Sequence, residues 1–275
     1  MVFVIKADGR KEEFKKEKVV RTCLRIGVSQ EQAELVAREI EKRIYEGIET
    51  RKILRMIFKF SQKFKPEIKY QIDLREAISL LSPKPDFERF VHLLLKEYGY
   101  EVIPNQIVEG YCVDHEIDGI AKKDDQIFLI EIKHHFNHHT YTGKDVFLEA
   151  QAILEDIKEG RKMGKNSLDF NKILIICNTK FSEHAKKYAL CKGIDFIGWK
   201  YPEEKGLERL IEEKKLYPIT ILKDLDEKSR KKFSSVGIVL LKQLLEESPE
   251  ELRKKTNIQK KKLKIFIEKA KKILL

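Results

Sequence analysis

Residues 113–133 hold two strand-like runs joined by a polar turn. VDHEIDG and QIFLIEIK are linked through IA and the turn KKDD at 122–125. Two strand-like runs around a tight polar turn predict an antiparallel hairpin. Alternate residues of a strand share a face, so Asp114, Glu116 and Asp118 line up together. Glu131 and Lys133 do the same on the second strand, with Ile132 on the opposite face. The flanking sequence supplies the rest of a layered domain. Upstream lie a helix (Phe87, Phe90, Val91, Leu94, Leu95) ending at Gly99 and a strand at 100–103. Downstream come a long helix around 145–160, a buried type of strand from Ile173 to Cys177, a helix from Ser182 to Lys192 and a last strand at 196–198. Helix, hairpin, helix, strand, helix, strand is an α/β pattern.

The chain breaks at Ser82-Pro83-Lys84-Pro85, where two prolines oppose a continuing helix. Three domains are expected: 1–82, 83–218 and 219–275. The first opens with the strand Val2–Ile5, a turn at Asp8-Gly9 and a second short strand, a hairpin pattern. Three amphipathic helices follow, with Ser29 placed to cap the second and Thr50 the third. The last domain is helical throughout. Of 275 residues, 37% are charged, and Lys and Glu are abundant, a composition often seen in thermophiles. The net charge of +11 divides unevenly: +6 over 1–82, −3 over 83–218 and +8 over 219–275. Basic flanks suit a polyanion, and an acidic centre suits a site that gathers carboxylates. Four scattered cysteines without a CxxC pair argue against a zinc ribbon or a disulfide framework. MVFVIKADGRKEEF turns charged too early for a signal peptide, and no apolar run approaches a membrane span. An intracellular, cytoplasmic protein is expected.

Asp118, Glu131 and Lys133 on adjacent strands can share one cleft. Two carboxylates with nearby carbonyls and water suit a hard divalent cation. Such an ion lowers the pKa of a bound water and offsets charge on a phosphorane-like transition state. The lysine can position the water or steady the developing charge. Glu88, from the preceding helix, can hold the metal's water shell.

This D…ExK layout resembles the PD-(D/E)xK nucleases, and more closely the Mrr-type restriction endonuclease domain, over about residues 85–200. The matches are FERFVHLLLKEYGYEV, HEIDGIA, IFLIEIK and ILIICNTKFSEHAKKYALCKGIDFIGW, in order, with IDG 13 residues ahead of ExK. The resemblance implies an α/β/α domain around a mixed sheet. It implies Mg2+ or Mn2+ held by Asp118 and Glu131, Lys133 as the family's lysine, Glu88 as the helix acid and Gln151 as a glutamine near the site.

Four of the seven histidines fall within HHFNHH at 134–139. A structural zinc site of histidines alone, so tightly spaced, is unusual. The run is expected to leave the strand as a loop at the mouth of the cleft. There His134 and His135 either meet phosphates, relay protons or stay solvated.

VFVIKADGRKEEFKKEKV, followed by helices, resembles the ATP-cone domain, a nucleotide-sensing module. The resemblance implies a regulatory ATP or dATP held through Lys6, Glu12, Lys18 and Thr50, with Ala7 in place of the family's usual arginine. No G-x-x-x-x-G-K-[ST] loop is present, so nucleotide hydrolysis is not implied. The tail from Leu240 to Leu274 resembles a helix-hairpin-helix module without its usual glycines. Lys254, Lys255, Lys260, Lys261 and Lys262 beside a helix start suit backbone phosphates.

Together these features point to an α/β, multidomain DNA endonuclease under nucleotide control. The rival reading, from a different class, is a nucleotide-gated DNA-binding regulator on an inactive nuclease scaffold. A homodimer is expected, since cutting both strands calls for two active sites.

Overall fold

A computed structural model of the chain describes residues 2–274. It forms two compact units. One comprises residues 2–72, 222–224 and 264–274, and the other residues 73–221 and 225–263. The Ser82–Pro85 break, expected as a domain boundary, falls inside the second unit, and the tail divides between the two.

The first unit starts with β1 (Phe3–Ile5) and β2 (Lys11–Glu13), an antiparallel hairpin whose turn needs Gly9 at φ +81°. Helices α1 (Lys16–Arg25) and α2 (Gln30–Glu41) follow, and Ser29 and Gln32 close a capping box on α2. β3 (Ile48–Glu49) then pairs parallel with β1 and leads into α3 (Thr50–Ser61). The sheet order is β2-β1-β3. β3 was not expected, because two residues carry no readable period. Thr50, expected as a cap, is the first helical residue, and Glu49 precedes it without a side-chain cap. Val4, Cys23, Ala33, Val36, Ile40, Ile48, Ile57 and Ile68 form the core.

The second unit begins with α4 (Leu74–Ser79) and α5 (Glu88–Glu97). Then come β4 (Glu101–Glu109), β5 (Asp114–Lys123), β6 (Gln126–Lys133) and the short β7 (Tyr141–Thr142). The long α6 (Asp145–Lys162), β8 (Lys172–Cys177), β9 (Lys180–Phe181), α7 (Glu183–Lys192) and β10 (Asp195–Ile197) complete the alternation. Helices α8 (Leu207–Glu213), α9 (Glu227–Ser235), α10 (Pro249–Thr256) and α11 (Lys260–Leu274) close the chain. The main sheet runs β10-β8-β6-β5-β4, parallel from β10 to β6 and antiparallel from β6 to β4. It is a mixed sheet, as the layer pattern implied.

Alternation along β6 and β8 sends side chains to two cores. Phe128, Ile130, Ile132, Leu174 and Ile176 pack with Phe87, Phe90, Val91 and Leu94 from the α5 side. Leu129, Ile173, Ile175 and Cys177 pack with Phe147, Ala150 and Leu154 of α6 and with Ala185 and Ala189 of α7. Both faces of the sheet are therefore covered, and the central stretches of these strands, 127–130 and 173–177, are continuously apolar.

β4 runs six residues beyond the expected stop at Ile103. Its register pairs Pro104 with Gly119 and Gln106 with Ile117, and between them stands Asn105 at φ +45°. A proline and a left-handed residue disguise the strand in the sequence. Among the described residues, no helix is long and apolar enough to cross a membrane.

Candidate active site

The fork between β5 and β6 organises the site. The two strands are paired from Gly119↔Ile130 to Lys123↔Gln126. Beyond that point β5 stays with β4, down to Asp114↔Glu109, while β6 stays with β8, out to Lys133↔Cys177. At the point of divergence Asp118 Oδ2 accepts the Ile132 N–H at 2.7 Å. The side chain of Asp118 thus bridges the fork.

A second bond fixes the backbone of the same residue. His92 Nε2, on α5, donates to the Asp118 carbonyl at 2.8 Å. His92 is buried and neutral: burial lowers its pKa against the opposing pull of Asp118. The carbonyl accepts, so the proton sits on Nε2. Gly119 makes room for this approach, since a Cβ there would stand 3.2 Å from His92 Nε2 and 3.1 Å from the Ile103 carbonyl. His92 escaped the sequence reading because FVHLL looks like an ordinary core stripe.

Glu131 is 8% exposed and receives Lys133 Nζ at 2.7 Å. Burial raises the Glu131 pKa; Lys133 pulls it down and the Asp118 charge adds to the rise. For Lys133, burial lowers the pKa, but its bond to Glu131 and the charges of Glu131, Glu149 and Asp118 win, and the net shift is upward. Glu149, 4.0 Å from Lys133, is a member the sequence reading missed. It sits in the first turns of α6, where nothing in the pattern separates it from a solvent-facing acid.

Glu88 begins α5 and is 4% exposed. Burial raises its pKa, and the Asp118 charge raises it further against the pull of Lys84. The expected group thus assembles in part. Glu88 interacts with Asp118, Asp118 with Glu131, and Glu131 with Lys133. Gln151 is not brought into that chain by any contact seen: its amide donates to Glu155 Oε1 at 2.8 Å, one turn along α6.

The histidines do form a loop after β6, and they turn to separate partners. His134 Nε2 donates to the Ile78 carbonyl at 3.2 Å, and its ring packs on Phe87. His135 Nε2 meets Thr142 Oγ1 at 3.2 Å, while Asn178 clasps the His135 backbone from both sides at 2.8 Å. His138 Nδ1 meets Ser79 Oγ at 3.3 Å. Burial, with help from His139 and Arg75, pushes the His138 pKa down to about 4. Among the described residues, no three His, Cys, Asp or Glu side chains converge as a ready-made metal cage.

In the first unit, Lys6 and Lys18 both pair with Glu12, Lys6 at 2.9 Å. The parallel register Ile5↔Glu49 places Lys6 and Thr50 at successive ends of neighbouring strands. Thr50 opens α3, whose first turn holds Arg51 and Lys52 and no acid. Positive side chains at the positive end of a helix are disfavoured unless an anion joins them.

Comparison with known proteins agrees with this architecture. Residues 2–71 match the family described as ATP cone domain, and residues 80–200 match that described as Restriction endonuclease. Residues 217–274 match that described as AF1548-like, C-terminal. An uncharacterized protein of Archaeoglobus fulgidus is 40% identical over 182 residues, 66% of this chain and 98% of the relative. The chain belongs to the AF1548-like family. A second uncharacterized A. fulgidus protein is 55% identical over 42 residues, 15% of this chain and 89% of its own. A crystal structure of the AF1548 protein, of unknown function, superposes with a TM-score of 0.58 at 40% identity. It covers 68% of this chain and 96% of that one. In this AF1548-like chain the restriction-endonuclease-like region spans both strands of the fork.

Proposed function

We propose that this AF1548-like protein is a divalent-metal-dependent DNA endonuclease regulated by ATP or dATP. The observation that carries the reading is the fork itself. Two strands of a nuclease-like domain part at Asp118, and Glu131, Lys133 and Glu88 gather there with two of the carboxyls held above their usual pKa.

The residues fit a hard cation. Asp118, Glu131 and Glu88 offer carboxylate oxygens at 8%, 8% and 4% exposure, and burial, with the charge of Asp118 added, raises Glu88 and Glu131. Mg2+ keeps several waters and needs only one or two protein carboxylates, so a full cage is not required. Asp118 and Glu131 would hold it, with Glu88 on its water shell. When bound, the ion supplies an acidified water and a counter-charge for the phosphate oxygens.

The chain's own groups do the rest. The Ile132 N–H holds the Asp118 carboxylate in place, and the His92 bond holds its backbone, which limits the reorganisation needed at the moment of reaction. Lys133, kept charged by Glu131 and Glu149, orients the attacking water and steadies charge building on the phosphate. Gln151 keeps a supporting role on α6 only if its bond to Glu155 exchanges on DNA binding. In the first unit, Lys6, Lys18 and Thr50 take the nucleotide, and Glu12 keeps the two lysines together without one. The lysines around α10 and α11 take the DNA backbone. Two copies of the chain serve the two strands.

The test is cleavage of supercoiled and branched DNA with Mg2+, Mn2+ or EDTA. Metal-dependent cutting, lost by about a hundredfold or more in Asp118→Ala and Lys133→Ala, is the expected result. Unchanged cutting in both variants eliminates the site. Nucleotide-dependent DNA binding without cleavage under any divalent ion would instead favour the regulator on an inactive scaffold.

A further inference from the structure

The carboxylate cluster already carries a cation supplied by the chain. Lys84 Nζ stands 3.2 Å from Glu88 Oε1, 3.2 Å from Glu116 Oε1 and 3.4 Å from Asp118 Oδ1. The four side chains differ sharply in exposure. Those of Glu88 and Asp118 are 5% and 10% exposed, whereas Lys84 and Glu116 are 60% and 69% exposed. The ammonium reaches inward from solvent to two buried acids and rests on a third at the rim. Its backbone is extended, φ −120° and ψ 135°, as expected of a residue followed by proline.

Two buried carboxylates in contact are costly without a positive partner. Lys84 offsets one of the two charges. A hard divalent cation offsets both and prefers the same oxygen donors. The acids cannot follow a departing partner: Asp118 is tied to Ile132 N–H and Glu88 is built into the start of α5. Lys84 can leave, because it is a hydrated charge on a flexible stem that already lies mostly in water. Lys133 differs in holding Glu131 at 2.7 Å, on the other side of the fork.

We propose that Lys84 is the resident counter-cation of the Glu88–Asp118 pair, and that a divalent metal ion loads the site by displacing it. This inference rests on the metal-dependent reading above and adds a residue that reading does not contain. Lys84 and the metal compete for Asp118, which would ligate the ion, and for Glu88, which would hold its water shell, so the lysine sets how much free metal the site needs. Displaced, its ammonium remains tethered at the rim beside Glu116. The exchange also keeps the buried acids compensated at every stage.

The experiment is Mn2+ binding to the full-length protein, followed by calorimetry and by loss of the free-ion magnetic resonance signal, without DNA. Lys84→Met is expected to bind Mn2+ about tenfold tighter than wild type, equivalent to about 1.4 kcal/mol. Lys84→Arg, which keeps the charge, is expected to stay close to wild type. In EDTA, Lys84→Met is expected to unfold at a lower temperature, with a larger rise on adding Mn2+. Equal or weaker Mn2+ binding by Lys84→Met, with binding intact in wild type, overturns the role of Lys84 alone. Absence of Mn2+ binding in all three proteins overturns it together with the metal-dependent reading.

Discussion

Asp118 Oδ2 accepts the amide hydrogen of Ile132 at 2.7 Å, across the point where β5 and β6 separate. A backbone donor that the neighbouring strand no longer meets is satisfied by a side chain, and a carboxylate is thereby aimed into the fork. One bond serves both the sheet and the site.

The support behind Asp118 is open to test. Gly119→Ala places a Cβ against the Ile103 carbonyl and His92, and it is expected to destabilise the protein by about 1–3 kcal/mol. His92→Leu leaves the Asp118 carbonyl unpaired and is expected to cost about 1–3 kcal/mol. Both are read from urea midpoints, and both should also weaken Mn2+ binding. Wild-type metal affinity in the destabilised variants would separate the support from the site.

Glu131 is expected to be a liability to the metal-free protein. Its folded pKa lies above the ordinary value, chiefly through burial, so the folded chain keeps a proton that the unfolded chain has lost. Stability from this group therefore falls as pH rises through the raised value. Glu131→Gln cannot ionise, and in EDTA it should unfold at a higher temperature than wild type at pH 8. The gap should close near the ordinary glutamate value, about pH 4. A variant less stable than wild type at pH 8 contradicts this account.

His138 has the opposite dependence. Its folded pKa is about 4 against a usual 6.5, so the unfolded chain takes up the proton first as pH falls. Stability is complete above about pH 6.5 and is lost toward pH 4, at no more than about 1.4 kcal/mol per pH unit. Denaturation midpoints of His138→Gln should follow a flatter course than wild type over this range. Parallel courses would show that His138 does not carry the loss.

The first unit gives a separate expectation. Lys6→Ala and Lys18→Ala should each weaken ATP binding about tenfold in calorimetry, the usual order for losing a charge-assisted contact. Wild-type affinity in both would remove these lysines from the site. No heat with ATP, dATP or ADP in wild type would remove the nucleotide itself.

Much of this was readable because it repeats. Apolar continuity along 127–130 and 173–177 marks buried strands, and Glu131-Ile132-Lys133 announces its facing by alternation alone. What escaped lacks a period. β3 has two residues, and β4 is masked by Pro104 and Asn105. His92 was hidden because a buried histidine within an apolar stripe looks like filling until its partner is seen. Lys84 read as part of a Pro-rich break, and only the fold reveals that three acids converge on its ammonium. Conversely, the crowded histidines were conspicuous by composition, yet their partners scatter to Ile78, Thr142 and Ser79.

The kink in β4 has a consequence for how this chain lives among copies of itself. β4 is an outer strand with Ile103 46% and Ile107 77% exposed, a surface on which stray strands of another molecule could add. Pro104 offers no amide hydrogen and Asn105 turns left-handed, so an incoming strand loses its register midway. The two residues that hide the strand from a reader of the sequence also hide it from its neighbours.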